Sequence, residues 1–155
     1  MTDWKLPWSA SCICGQVKMR ISAPPLIAMA CHCRGCQKLT GGAYSLTLMH
    51  PGDGFEVLEG QTELGALHRA EAQHHYCTRC KSWLYTTAPG LRGMVNVRPA
   101  MLDDASWVAP YVESYVSEKL PGVVTGAKHS FAQFPPPERY GELMAGFAKE
   151  GARPA

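Results

Sequence analysis

Apolar and polar positions alternate in short runs along most of this chain, and runs of that length and period read as β-strands. Val17, Met19 and Ile21 alternate with Lys18, Arg20 and Ser22, a half-buried strand ended by Pro24-Pro25. Residues 26–30 form a short apolar stretch without alternation. Residues 44–49 read as another strand that ends at the turn Pro51-Gly52-Asp53-Gly54, and Phe55 and Val57 open the next, which stops at Gly60. Residues 63–69 and 73–76 are expected to pair. Residues 83–87 and 94–98 form two strands separated by the Pro89-Gly90 turn, and residues 111–116 a last one. Helical spacing is scarce. Residues 34–39 have room for a turn or two before Gly41-Gly42 stops them. Pro135-Pro136-Pro137 breaks the chain before residues 138–150, where Tyr140, Leu143, Met144 and Phe147 share a face. The last few residues are expected to fray. The pattern predicts a mainly β, antiparallel domain with a short C-terminal helix.

Composition adds limits to that picture. A length of 155 residues, with no internal repeat or linker, is most simply one domain over 1–155, and 46% apolar content fits a globular core. Fifteen Gly and twelve Pro favour many turns over long helices. The net charge of +2 comes without a Lys/Arg run, so nucleic acid is not an expected partner. No apolar run is long enough to span a membrane. Residues 1–8 lack a basic segment followed by an apolar one, so the chain is expected to be cytoplasmic, where thiols stay reduced.

That compartment matters because of the cysteines. All seven fall into three tight clusters: Cys12-Ile13-Cys14, Cys31-His32-Cys33-Arg34-Gly35-Cys36 and Cys77-Thr78-Arg79-Cys80. Two thiols from one turn chelate a soft metal ion with little further loss of chain entropy, so distant turns can complete one tetrahedral zinc site. A secreted disulfide framework is the rival reading, but an odd count strands one thiol. Pairing Cys12 and Cys14 with Cys77 and Cys80 makes one closed, structural site across a long loop. Cys31, Cys33 and Cys36 are left as three ligands with a vacant fourth position, the arrangement of catalytic zinc. His32, between two of these cysteines, is expected to point away from the ion they share. Three thiolates weaken the Lewis acidity of an ion, which favours holding a thiol over activating a carbonyl.

Taken in order, these clusters resemble the glutathione-dependent formaldehyde-activating enzyme family, which includes the centromere protein V-like proteins. Cys12-Ile13-Cys14-Gly15-Gln16-Val17 is similar to the family's opening motif, and residues 31–42, from Cys31-His32-Cys33 to Thr40-Gly41-Gly42, are similar to its central one. Cys77 and Cys80 match its third pair, and Leu102-Asp103-Asp104 its late Leu-Asp-Asp. The resemblance covers about residues 9–120 and leaves residues 135–155 as a C-terminal extension. It implies an Mss4-like fold with zinc at two places, Cys12, Cys14, Cys77 and Cys80 as structural ligands, and Cys31, Cys33 and Cys36 as the catalytic site. The implied activity is that of a carbon–sulfur lyase that joins glutathione and formaldehyde into S-hydroxymethylglutathione. The alternative is a non-catalytic, zinc-stabilised binding protein of the same fold, and a third reading is a redox-sensing thiol cluster. Two positions depart from the family's pattern: Lys81 stands where Gly usually follows the third pair, and Tyr111 stands where a His commonly follows the late Pro.

A glutathione-like substrate brings two carboxylates, for which Arg34, Lys38, Arg69 and Arg98 are candidate partners, each also readable as solvated charge. Asp103-Asp104 could serve acid–base chemistry but reads better as a cap or turn. The period of a strand places His74 and His75 on opposite faces, so at most one is near the third cysteine pair. Trp4, Trp8, Trp83 and Trp107 read as core or rim aromatics.

Overall fold

The computed structural model describes residues 4–65 and 71–155. In chain order its elements are β1 (Trp8–Ser11), β2 (Lys18–Ile21), β3 (Ile27–Cys31), α1 (Arg34–Thr40), β4 (Ser45–Pro51), β5 (Phe55–Glu59), β6 (Thr62–Gly65), β7 (Gln73–Cys77), β8 (Trp83–Thr87), β9 (Met94–Val97), β10 (Val112–Ser114), β11 (His129–Ser130) and α2 (Tyr140–Glu150). The strands make a three-stranded sheet ordered β1-β2-β5 and an eight-stranded one ordered β11-β10-β3-β4-β9-β8-β7-β6.

Strand β2 follows the alternation of its residues. Met19 and Ile21 are buried, whereas Lys18 and Arg20 face solvent and pair across the strand with Glu59 and Glu56. Its neighbour β5 lies at the sheet edge, so Val57 and Leu58 are exposed. The apolar stretch 26–30 becomes the central strand β3, buried along Ile27, Ala28, Met29 and Ala30. It has no alternation because both of its faces are covered. Most pairings are antiparallel, but β10 runs parallel to both β3 and β11. Residues 63–69 were expected to pair with the strand that follows; β6 pairs with β7 from Thr62 to Gly65, and residues 66–70 lie outside the described residues.

Helix α2 packs on β3 and buries Leu143 and Phe147, the expected face. Tyr111 anchors it: the phenol is buried, donates to Glu150 Oε1 at 2.6 Å and has its pKa pushed up to about 12, by burial first and then by Glu150. The chain end does not fray as expected. Arg153 lies 3.8 Å from the centre of the Trp4 ring and donates to the Phe147 carbonyl at 3.1 Å. Trp4 also packs edge-on against Trp8 and Trp107, both at 6.0 Å, as a core-and-rim cluster. Among the described residues no helix is long and apolar enough to cross a membrane.

Candidate metal centre

Two turns bring four cysteines together. Cys12 follows β1, and Gly15 takes a left-handed conformation (φ 73°) that reverses the chain into β2. Cys77 ends β7, and Cys80 lies in the turn before β8. Backbone bonds hold each turn: the Gly15 N–H donates to the Cys12 carbonyl at 2.9 Å, and the Lys81 N–H to the Cys77 carbonyl at 3.0 Å. The Ile13 N–H donates to Ser82 Oγ at 3.3 Å and links one turn to the other. Sulfur separations are 3.5 Å for Cys12–Cys14 and 3.8 Å for Cys14–Cys77. A tetrahedron of sulfurs at zinc–sulfur distances has edges of about 3.8 Å. A disulfide needs about 2.05 Å. The four sulfurs therefore have the spacing of a tetrahedral metal site.

Charge gives the same answer. Burial pushes the Cys80 thiol up, but hydrogen bonds from Ser82 outweigh it and hold it at about 5. Cys14 is pushed up to about 11: a backbone bond from Gln16 lowers it, and burial and the neighbouring thiols raise it by more. Four thiols this close cannot all ionise unless a cation joins them. Lys81 takes a left-handed conformation (φ 60°), so a side chain is borne at a position whose backbone favours glycine.

The triplet is assembled differently. Cys31 ends β3, and Cys33 caps α1, its sulfur accepting from the Cys36 N–H at 3.4 Å. Gly41 (φ 63°) closes the helix. The three sulfurs lie within 4.8 Å of one another, so the group could hold a metal ion. A hydrogen bond from Cys36 is the main reason Cys31 is held low, at about 5, against burial. Cys36 is driven up by Cys31 and by burial.

His32 turns away from this group, as expected. Fully buried, it donates through Nε2 to Glu113 Oε2 at 2.9 Å. The Glu113 carboxylate also accepts from Ser130 at 2.7 Å, Thr125 at 2.8 Å and Lys119 at 3.1 Å. Burial raises its pKa, but these bonds lower it by more, to about 2. Gln37 Nε2 ties α1 to the same region by donating to the carbonyls of His32 at 2.6 Å and Glu118 at 2.9 Å.

Cys31 and Cys36 open on a cavity of about 250 Å³ whose wall includes His74, Trp83, Arg98 and Tyr140. The Arg98 guanidinium lies 3.9 Å from the centre of the Trp83 ring. Of the candidate carboxylate partners, Arg98 alone among the described residues lines this cavity. Arg34 and Lys38 are exposed and Arg69 lies outside the described residues. His74 and His75 do face opposite ways. His75 stacks on Tyr85 at 4.3 Å, whereas His74 bonds Thr86 Oγ1 at 2.8 Å and faces the cavity rather than the Cys77–Cys80 turn. Asp104 accepts from the Ser106 N–H at 3.0 Å and Oγ at 2.6 Å, the turn role expected of it.

Three features escaped sequence reasoning. Trp83 is a cavity wall because a bulge in the β7–β8 pairing breaks the alternation and brings it to the side of Thr86, to which its Nε1 donates at 3.2 Å. Tyr140 reaches the cavity from α2, beyond the region of family resemblance. Glu113 meets His32 through the parallel β10–β3 pairing, for which no local signal exists; the one hint was an acidic residue inside a strand.

The chain belongs to the glutathione-dependent formaldehyde-activating enzyme family, whose model matches residues 7–118. A Halomonas elongata protein, provisionally named a glutathione-dependent formaldehyde-activating enzyme, is 29% identical over 102 residues. That match covers 60% of this chain, and the chain spans 64% of the relative's length. The crystal structure of a Rhodobacter sphaeroides protein shares the fold, with a TM-score of 0.52 at 16% identity over 79% of this chain and 98% of that one.

Proposed function

We propose that the protein is a zinc-dependent carbon–sulfur lyase of the S-hydroxymethylglutathione synthase type, acting on a small thiol such as glutathione and on formaldehyde in the cytoplasm. The observation that carries this reading is the three-sulfur cluster, two of whose cysteines, Cys31 and Cys36, line a cavity. In this reading Cys12, Cys14, Cys77 and Cys80 hold a structural zinc ion, and Cys31, Cys33 and Cys36 a second one. Zinc held there would lower the pKa of a substrate thiol and so favour its thiolate. The chain's own residues do the rest. Cys33 fixes the start of α1 and with it Cys36, the His32–Glu113 bond keeps imidazole away from the sulfurs, and the cavity wall orients the thiol and excludes water. As the sulfur–carbon bond forms, the carbonyl π pair moves to oxygen, which takes up the proton the thiol released. Nothing is oxidised or reduced. The whole chain works as one unit here, because Tyr140 of the C-terminal helix completes the wall.

The test is exchange between glutathione, formaldehyde and their adduct, followed by NMR with the zinc-loaded chain. Acceleration over buffer that is lost in Cys33→Ser supports the reading. A rate equal to buffer overturns it and leaves a zinc-stabilised binding protein.

A further inference from the structure

Arg98 is a buried cation in the same cavity wall as Cys31 and Cys36. It is 8% exposed, and no carboxylate among the described residues forms an ion pair with it. Among the described residues its Nη atoms reach two neutral acceptors, the Leu46 carbonyl and Thr86 Oγ1, both at a long 3.4 Å. Its Nε is buried without an acceptor among the described residues. Burying a guanidinium this way is costly unless something completes its hydrogen bonds. Contact with the Trp83 ring, 3.9 Å from its centre, restrains the group before any ligand arrives. Apart from Cys31 and Cys36, the surrounding wall is apolar or neutral: Met29, Met49, Leu91 and Phe134 line it, and no Asp, Glu or Lys does so among the described residues.

We propose that Arg98 anchors a carboxylate subsite in this cavity, so that the thiol accepted beside Cys31 and Cys36 is a compact one carrying a carboxylate. That the ligand is a thiol rests on the function proposed above; the preference for a carboxylate rests on Arg98 itself. A planar carboxylate matches the guanidinium fork with two parallel hydrogen bonds, and a neutral amide cannot reproduce that charge-assisted pair. The short apolar part of such a thiol lies against the methionines while its sulfur reaches the cysteine cluster.

The experiment compares 3-mercaptopropionate with its neutral amide by isothermal titration calorimetry on the zinc-loaded full chain, alongside metal content. The wild-type chain is expected to bind the acid on the order of 10- to 100-fold more tightly, the range of a hydrogen bond to a charged group. In Arg98→Met the acid-to-amide ratio falls to about one, with metal content retained. Arg98→Lys keeps the charge but loses the fork and stacking, and gives an intermediate ratio. Equal affinity of the wild-type chain for acid and amide, or binding of neither, overturns the proposal. So does an unchanged ratio in Arg98→Met, or loss of metal in that variant, which would make Arg98 a counter-charge to the thiolates. Should Arg98→Met not fold, the wild-type ratio and Arg98→Lys decide. Failure of the proposed function is separate: acid preference that depends on Arg98, without acceleration of adduct exchange, sinks the lyase reading and leaves the subsite standing.

Discussion

The two cysteine clusters use the same donor atom and differ in what holds them. The four-sulfur cluster joins two turns far apart in the chain, Cys12–Cys14 after β1 and Cys77–Cys80 after β7, and so ties the small sheet to the large one. The three-sulfur cluster is local, six residues at the end of β3 and the start of α1, already secured by a helix cap and by the His32–Glu113 bond. An ion at the first would hold separate pieces together. The second is held by the protein and faces a cavity. In the function proposed above, ligands that differ in this way divide the work: an ion at the first would serve the fold, and one at the second would be free to serve chemistry.

The largest expected effect separates the two directly. Structural zinc sites contribute about 10 kcal/mol or more to folding, comparable with the whole stability of a domain. Cys77→Ser should therefore be unfolded by circular dichroism. Cys33→Ser should stay folded, because serine also caps a helix, and lose at most about 4 kcal/mol, the mass-action value for a site saturated a thousandfold. Equal melting temperatures for the two variants would erase the distinction.

Next comes the frame behind the triplet. Glu113→Ala leaves His32 and Lys119 without their carboxylate in a buried setting and should cost about 3 kcal/mol in urea unfolding. An unchanged midpoint would show that the triplet is not supported from behind. A smaller effect of opposite sign is expected at the four-sulfur cluster. Lys81→Gly relieves a left-handed backbone worth 1–2 kcal/mol by the general cost for such residues, and gives up only an exposed ion pair with Glu63, for a net gain of about 1 kcal/mol. Lower stability would contradict strain at that turn.

Away from both clusters, His50 provides a reference. Burial lowers its pKa to about 4, from an ordinary 6.5, against a raising bond to the Ala23 carbonyl. Between those values the unfolded chain holds the extra proton, so this contribution is complete above pH 6.5 and lost as pH falls towards 4. His50→Gln should flatten stability over that window by at most one proton, about 1.4 kcal/mol per pH unit. A slope identical to wild type would assign the acid sensitivity elsewhere, to the cysteine clusters.

Much of this was legible in the residues. Strand β8 appears at the residues expected, β2 keeps its alternation, and α1 stops at Gly41 as anticipated. The partition of seven cysteines into four and three follows from short spacings and coordination number, and the structure places the sulfurs in those two groups. What was not legible depends on pairing between distant strands. The central strand β3 looked like a mere apolar stretch because it is buried on both faces. The β11 pairing, the bulge that redirects Trp83 and the parallel contact that brings Glu113 to His32 leave no periodic trace. Tyr111, noted as a departure where a His is common, turned out to be the anchor of α2.

The division of labour is tested most directly by counting zinc per chain in the purified protein and in Cys33→Ser, with and without glutathione. Two ions in the wild-type chain and one, firmly held, in Cys33→Ser is the expected result, with glutathione changing the coordination of the lost ion's site only. A single ion in the wild-type chain, undisturbed by Cys33→Ser, would contradict it.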